Sequence, residues 1–419
     1  MGIQQSSYEK WTELIVQGWE RAVKYQTPWI VCPEWPQNPV TGTKYKGVNF
    51  LSTMSAGFES PFFYTYNQVK SLNPVIGQTD AQEEVDKLLQ RHQKSGKGIG
   101  KSGKPLKSLQ EEIDKILSDG PKPIYDNKVH VRAGEQGIPI FKYVETKKKN
   151  LDPTSPTYGQ VEIDEETGKP KMVRVMAYAG TVFNESQIEG IAPFQKPERT
   201  VSLHDDGELM LAAIERKMGV KIIQGDRGEA WFNKSNNTIY LPKPELFKDD
   251  VHRYQTAAHE GGHATGPLLG RPMEGKFGSV SYSKEEIVAE LIAVCVCAEL
   301  GIGYNGQIHP NNMAYLQSWL KGAKEDPKFI YTAMKEASKG ADMIINAMEE
   351  LRLEFMLELE QKKAISQTVR TTSEHGMNVE LHEASQKTFI QQEIARLPHS
   401  KNNTVAVQKH AVAQSSFDF

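Results

Sequence analysis

"TAAHEGGHATG", residues 256–266, decides how the second half of this chain is read. Two histidines stand four apart, a glutamate follows the first, and two glycines fill the gap. On a helix, positions i and i+4 share a face one turn apart, so His259 and His263 can present two imidazoles to one ion. Catalytic zinc takes neutral imidazoles plus a carboxylate and keeps its fourth position for water. Glu260 is then the candidate general base. The glycines speak against a metal helix, because each costs up to about 1 kcal/mol against alanine in a helix interior.

The flanks favour the metal. Upstream, Asp249 or Asp250 can cap a helix whose body "YQTAA" forms helix well. Before it stands "NTIYLP" (237–242), a strand placed as a substrate-binding edge. Downstream, "SYSKEEIVAELIAVCVCAEL" (281–300) reads as an acid-bearing helix that becomes strongly apolar. Glu286 and Glu290 lie four apart and share one helical face. One can bind the metal while the other orients a ligand histidine. Acids facing a core-like helix surface call for a cation. Zn2+ is the expected ion, with Mn2+ or another divalent cation as the alternative.

The bulk numbers frame this site. A chain of 419 residues holds two domains of ordinary size, and a net charge of −3 argues against a uniformly basic nucleic-acid binder while allowing a local basic patch. Cys32, Cys295 and Cys297 form no CxxC pair, so neither a disulfide framework nor an all-cysteine zinc site is expected. The first residues, "MGIQQSSYEKWTEL", lack the basic and apolar regions of a signal peptide; Met-Gly with Ser6 fits a myristoylation signal only as a short, common pattern. No apolar run approaches the roughly 18 residues a membrane span needs. A cytoplasmic protein without membrane contact is expected.

Along the first half, Tyr8, Trp11, Ile15, Trp19 and Ala22 recur at helical spacing, and the helix should stop near Thr27-Pro28. Residues 80–120 read as two charged helices around "GKGIGKSGK" (96–104), a basic loop. That loop is not a nucleotide site: Ser95 stands where the pattern requires its first glycine, and no apolar strand precedes it. "IPIFKYVE" (138–145) and "VRVMAYAGTVFN" (173–184) are strands with a hairpin excursion between them. Residues 1–195 thus form an α+β domain with a basic insertion near 80–120, and "APFQKPERT" (192–200) is a linker. Residues 200–365 form a mainly helical second domain whose last helix, 340–363, carries the stripe Ile344, Met348, Leu351, Phe355 and Leu359. Residues 366–419 read as a polar tail with one short helix at 382–396.

Ordered motifs over about 300 residues carry a family resemblance. In the second half they are "DRGEAWFNKSNNTIYLPKPELF" (226–247), "TAAHEGGHATG" followed by Arg271, and "YSKEEIVAEL" (282–291). In the first half they are "TGTKYKGVNFLSTM" (41–54), "YTYNQVKSLN" (64–73) and "VRAGEQGIPIFKY" (131–143). By these the chain resembles the ArdC-type antirestriction proteins of conjugative plasmids and related mobile elements. The resemblance implies an α+β single-stranded-DNA-binding domain followed by a zincin-like metallopeptidase domain, and a role in shielding incoming DNA from restriction. It carries His259 and His263 over as ligands and Glu260 as base, with Glu290 the first choice for third ligand and Glu286 the second. Tyr282 stands where a hydroxyl can stabilise an oxyanion, with packing as the equal alternative.

The chain departs from the family at Gly261 and Gly262, where bulkier residues are usual. The pair is expected to open space over the metal or to loosen the helix. For single-strand binding, cations along a groove and flat side chains are needed; Trp29, Lys44, Tyr45, Lys46, Tyr66 and Arg132 are the candidates. Two rivals stay open beside DNA protection: a zinc protease acting on a specific host protein, and a non-enzymatic accessory in replication or conjugation.

Overall fold

A computed structural model describes residues 7–25, 32–95, 107–150, 152, 154–192, 203–273, 280–302, 312–326 and 328–371. In chain order come α1 (Ser7–Tyr25), α2 (Val48–Met54), β1 (Phe63–Thr65), α3 (Tyr66–Ser71), β2 (Val75–Gln78), α4 (Ala81–Ser95) and α5 (Lys107–Asp119). Five strands follow: β3 (Pro123–Tyr125), β4 (His130–Val131), β5 (Ile138–Lys147), β6 (Met172–Asn184) and β7 (Ile188–Glu189). The second half runs α6 (Leu203–Arg216), β8 (Lys221–Gly225), β9 (Trp231–Asn233), β10 (Thr238–Pro242), α7 (Asp250–Leu268), α8 (Val280–Glu299), α9 (Asn312–Glu325) and α10 (Phe329–Thr371). The α+β expectation holds, with a helix-dominated second half.

Most of the linker expected at 192–200 lies outside the described residues, and packing divides the chain into two compact units. One compact unit comprises Met1–Phe62, Ile138–Gly180 and Phe194–Phe419, and the other comprises Phe63–Gly137 and Thr181–Pro193. The reason is visible in α1. Its apolar face, Trp11, Ile15, Trp19 and Ala22, is wholly buried, and Trp19 meets Trp319 of α9 at 6.0 Å between centroids. Trp11 donates its indole N–H to Ser52 Oγ (2.9 Å), fastening α2 beside it. The amino-terminal helix therefore belongs to the core of the larger unit, where its stripe finds a partner.

Beside α7, β10 is central in a three-stranded sheet, parallel to β8 and antiparallel to β9. Ile239 and Leu241 on one face of β10 enter the core shared with α6, α7, α8 and α10. Helix α10 is longer than the sequence suggested, because Gly340 does not start it. A Cβ there would stand 2.4 Å from Ile292 Cδ1 and 2.8 Å from Thr265 Oγ1, so the glycine lets three helices meet mid-helix. The stripe Ile344 to Leu359 is buried as expected.

In the smaller unit, β1 pairs antiparallel with the end of β6, Tyr64 opposite Phe183. Helices α4 and α5 pack through Val85, Leu109 and Ile113. The basic loop between them lies outside the described residues, as do the tail beyond 371 and its expected short helix. Among the described residues no helix is long and apolar enough to cross a membrane. All three cysteines are free and buried.

Candidate metal centre

Helix α7 starts where the Asp249 side chain accepts the amide of His252 at 2.9 Å. One turn in, Arg253 pairs with Glu208 of α6, both out of solvent, and the Tyr254 hydroxyl donates to the same Glu208 oxygen at 3.0 Å. Removing one member of a buried pair strands the other charge, so this contact fixes α7 firmly on α6.

His259 and His263 lie one turn apart with their rings edge to face, centroids 4.8 Å apart. Helix α8 runs antiparallel beside them. Glu286 places one oxygen 3.7 Å from His259 Nε2 and the other 3.7 Å from His263 Nε2. Glu290 sits 3.2 Å from His259 Nδ1, and Glu285 sits 3.3 Å from His263 Nδ1. Each ring therefore turns Nε2 toward Glu286 and Nδ1 toward a separate carboxylate. Glu260, Glu286 and Glu290 are all buried.

Electrostatics follow from that crowding. Burial alone lowers the pKa of His259, but the Glu290 contact and the charges of Glu260, Glu290 and Glu286 outweigh it and raise it to about 9. For Glu285, burial works upward, while hydrogen bonds and charges from His263 and Arg271 prevail and hold the carboxyl below the usual range.

The donor set fits a divalent cation. His259, His263 and Glu286 each offer an atom within 4.8 Å of the others. Nitrogen–oxygen gaps of 3.7 Å are too long for hydrogen bonds and suit atoms arranged about a common centre roughly 2.0–2.2 Å away. The carboxylates on the Nδ1 side supply the outer partners that ligand histidines require.

The glycines neither open space over this centre nor interrupt α7. A Cβ on Gly262 would stand 2.9 Å from the carbonyl oxygen of Ala289 and 3.1 Å from its Cα. Ala289 lies between Glu286 and Glu290, so the missing methyl is what lets the backbone of α8 reach α7. A Cβ on Gly261 would stand 2.9 Å from Ile214 Cδ1 on the other side.

Two residues escaped the sequence reading. Glu285 was hidden in the "KEE" doublet because only the i, i+4 pair was followed. Arg271 figured merely as part of a motif, yet it donates to Glu285, Thr265 and the carbonyl of Gly262. The order of the acids also differs from the expectation: Glu286 stands with both Nε2 atoms, and Glu290 stands behind His259. The side chain of Tyr282 lies outside the described residues.

The expected DNA contacts scatter. Trp29 lies outside the described residues. Tyr45 is buried, which removes its ring as a stacking face, and its carbonyl accepts the Trp35 indole N–H at 2.7 Å. Lys44 pairs with Glu299 at 2.7 Å and lies over the Trp35 ring, while Lys46 is exposed. In the smaller unit, Arg132 pairs with Glu135, and Tyr66 is 61 % exposed. Nearby in sequence, Lys70 lies 5.5 Å over the Tyr125 ring.

Comparison with known proteins agrees with both halves. Residues 5–183 match the N-terminal domain of the anti-restriction factor ArdC, and residues 210–336 match a zincin-like metallopeptidase domain. The chain is 29 % identical over 356 residues, 81 % of its length, to a DNA primase TraC of Escherichia coli, of which it spans 25 %. It is 30 % identical over 214 residues to an uncharacterised protein, y4eC, of Sinorhizobium fredii, covering 51 % of this chain and 65 % of that one. A metal-free crystal structure of the antirestriction protein ArdC from plasmid R388 superposes with a TM-score of 0.51 at 22 % identity, over 82 % of this chain and 98 % of that one, a likeness of fold.

Proposed function

We propose, from the match of residues 5–183 to the N-terminal domain of the anti-restriction factor ArdC and of residues 210–336 to a zincin-like metallopeptidase domain, that the chain is an ArdC-type antirestriction protein that binds single-stranded DNA, protects incoming mobile-element DNA in the cytoplasm, and carries a metal-dependent peptidase centre. The observation that carries the metal reading is the triad of His259, His263 and Glu286, with a separate carboxylate behind each ring. We assign those three as ligands and Glu290 as the group that orients His259. The two imidazoles and one carboxylate suit Zn2+, with Mn2+ as the second choice. When bound, the cation supplies Lewis acidity, activating water near neutral pH and polarising a carbonyl. Glu260, buried beside His259, takes up the water proton on its carboxylate and returns it to the leaving amine. Glu290 and Glu285 keep Nδ1 of each ring engaged, so that Nε2 faces the centre.

Support for DNA binding is the family itself together with exposed Tyr66 and the cation-bearing surface around Lys70 and Arg132. Metal analysis of wild type beside His263→Ala tests the centre: wild type should retain one equivalent and the variant far less. A single-strand titration at two salt concentrations tests the other half, since neutralising phosphates makes affinity fall with salt. Glu260→Ala then separates the roles. If the variant keeps its metal and still protects DNA, protection is by coating and hydrolysis is dispensable; a host protein that is cut by wild type and persists with Glu260→Ala decides for the protease.

A further inference from the structure

We infer that Arg271 and Glu285 form a positioning pair that holds His263 with Nε2 toward the metal, and that this pair ties the chain after α7 to the centre. The inference rests on the metal reading above and deepens it, adding Arg271 and the way Glu285 is itself held.

The geometry is specific. Glu285 Oε1 takes Arg271 Nη2 at 2.7 Å and lies 3.3 Å from His263 Nδ1, while Oε2 takes Arg271 Nε at 3.2 Å. One oxygen thus serves both arginine and histidine. A guanidinium fork matches a carboxylate edge and fixes its plane, which a point-charge ammonium does not. The rest of the fork is spent on α7 itself, with Nη1 donating to Thr265 Oγ1 at 2.6 Å and Nη2 to the Gly262 carbonyl at 2.9 Å. Arg271 is 7 % exposed and therefore works in a low-dielectric setting. Through it, the end of α7, the residues just after it and the start of α8 share one network. Anchored this way, Glu285 can only accept, so Nδ1 of His263 must donate and Nε2 is left as the ligating atom.

The test is Zn2+ affinity by competition with a chromophoric chelator, on wild type, Glu285→Ala, Glu285→Gln and Arg271→Lys, with melting of each metal-free protein alongside. Glu285→Ala should weaken binding about 10- to 100-fold. Glu285→Gln keeps one oxygen for Nδ1 but turns an amide donor on Arg271 Nε, so it should fall between. Arg271→Lys keeps the charge and loses the fork, and should also weaken Zn2+ although the carboxylate remains. If Glu285→Ala does not fold, the near-isosteric Glu285→Gln and Arg271→Lys decide. Folded variants that melt earlier yet bind Zn2+ as tightly as wild type overturn the inference alone and make the pair merely structural. A wild type that takes up no Zn2+ overturns it together with the metal reading.

Discussion

Gly262→Ala puts a methyl group where the backbone of α8 already stands. The new Cβ would sit 2.9 Å from the Ala289 oxygen, 3.1 Å from its Cα and 3.3 Å from Ile292 Cβ. None of these is the free end of a flexible side chain, so relief requires α8 to retreat by roughly half an ångström to reach ordinary contact. Overpacking of this kind costs about 1–3 kcal/mol, and exchanging glycine for alanine in a helix returns about 1 kcal/mol, which leaves a net loss of about 0–2 kcal/mol. The metal should feel more than the fold does. Helix α8 carries Glu286, and ligand distances tolerate only about ±0.2 Å. We therefore expect Zn2+ affinity to fall at least about tenfold while the urea midpoint moves little. Gly261→Ala is the control. Its methyl meets the flexible ends of Ile214 and Ile344 at 2.9 and 3.5 Å, which can turn aside, so metal affinity should be kept. Equal Zn2+ affinity in both variants, measured by chelator competition, would refute the claim that the glycine sets the helix approach.

Four further outcomes are expected. In the metal-free protein the raised pKa of His259 makes its charged form stabilising. That contribution is complete below pH 6.5 and is lost as pH rises through about 9, so the urea midpoint should fall across this window and stay flatter in His259→Gln. Glu208→Ala strands the buried Arg253 and should cost about 3–5 kcal/mol in chemical denaturation. Glu286→Met should abolish Zn2+ retention while leaving the metal-free protein as stable or more so, since an apolar side chain of similar size replaces a buried charge; a large loss of stability would instead make the cluster structural. Tyr66→Ala should leave melting unchanged and weaken single-strand binding by about 1–3 kcal/mol in a fluorescence titration, and an unchanged affinity removes Tyr66 from the interface.

The elements of the second half were legible because their signals are local. The α7 histidines, the Asp249 cap and the α10 stripe follow from spacing and capping chemistry alone. The choice between Glu286 and Glu290 was not, because both lie on one helical face and the decision falls to the register of two antiparallel helices. That register is set where Gly262 meets Ala289, a contact no local pattern contains. The same limit hid Arg271 and the partner of α1: a stripe says that a face will be buried, not by what. Tyr45 shows the converse error. Flanked by two lysines it looks like a stacking platform, yet the loop folds its ring inward while Lys44 and Lys46 stay exposed.

The composition of α7 and α8 bears on whether the cluster exists for stability or for function. Helix α7 accepts two glycines in its middle turn, and α8 buries Glu286 and Glu290 amid Ile287, Val288, Leu291 and Ile292. Each choice opposes local propensity or desolvation, and an apolar seam between the two helices would satisfy both at lower cost. Among the described residues of the cluster Arg271 is the one fixed cation, and it is already matched to Glu285. Of the remaining carboxylates, Glu286 and Glu290 face the imidazoles, and Glu260 adds its charge beside His259. Without metal, a proton on His259 offsets part of that charge, which is why its pKa rises. A divalent cation offsets more and lets the histidines serve as neutral donors. Local costs converging on one spot, each lowered by the same missing charge, support the proposed metal site over a purely structural seam.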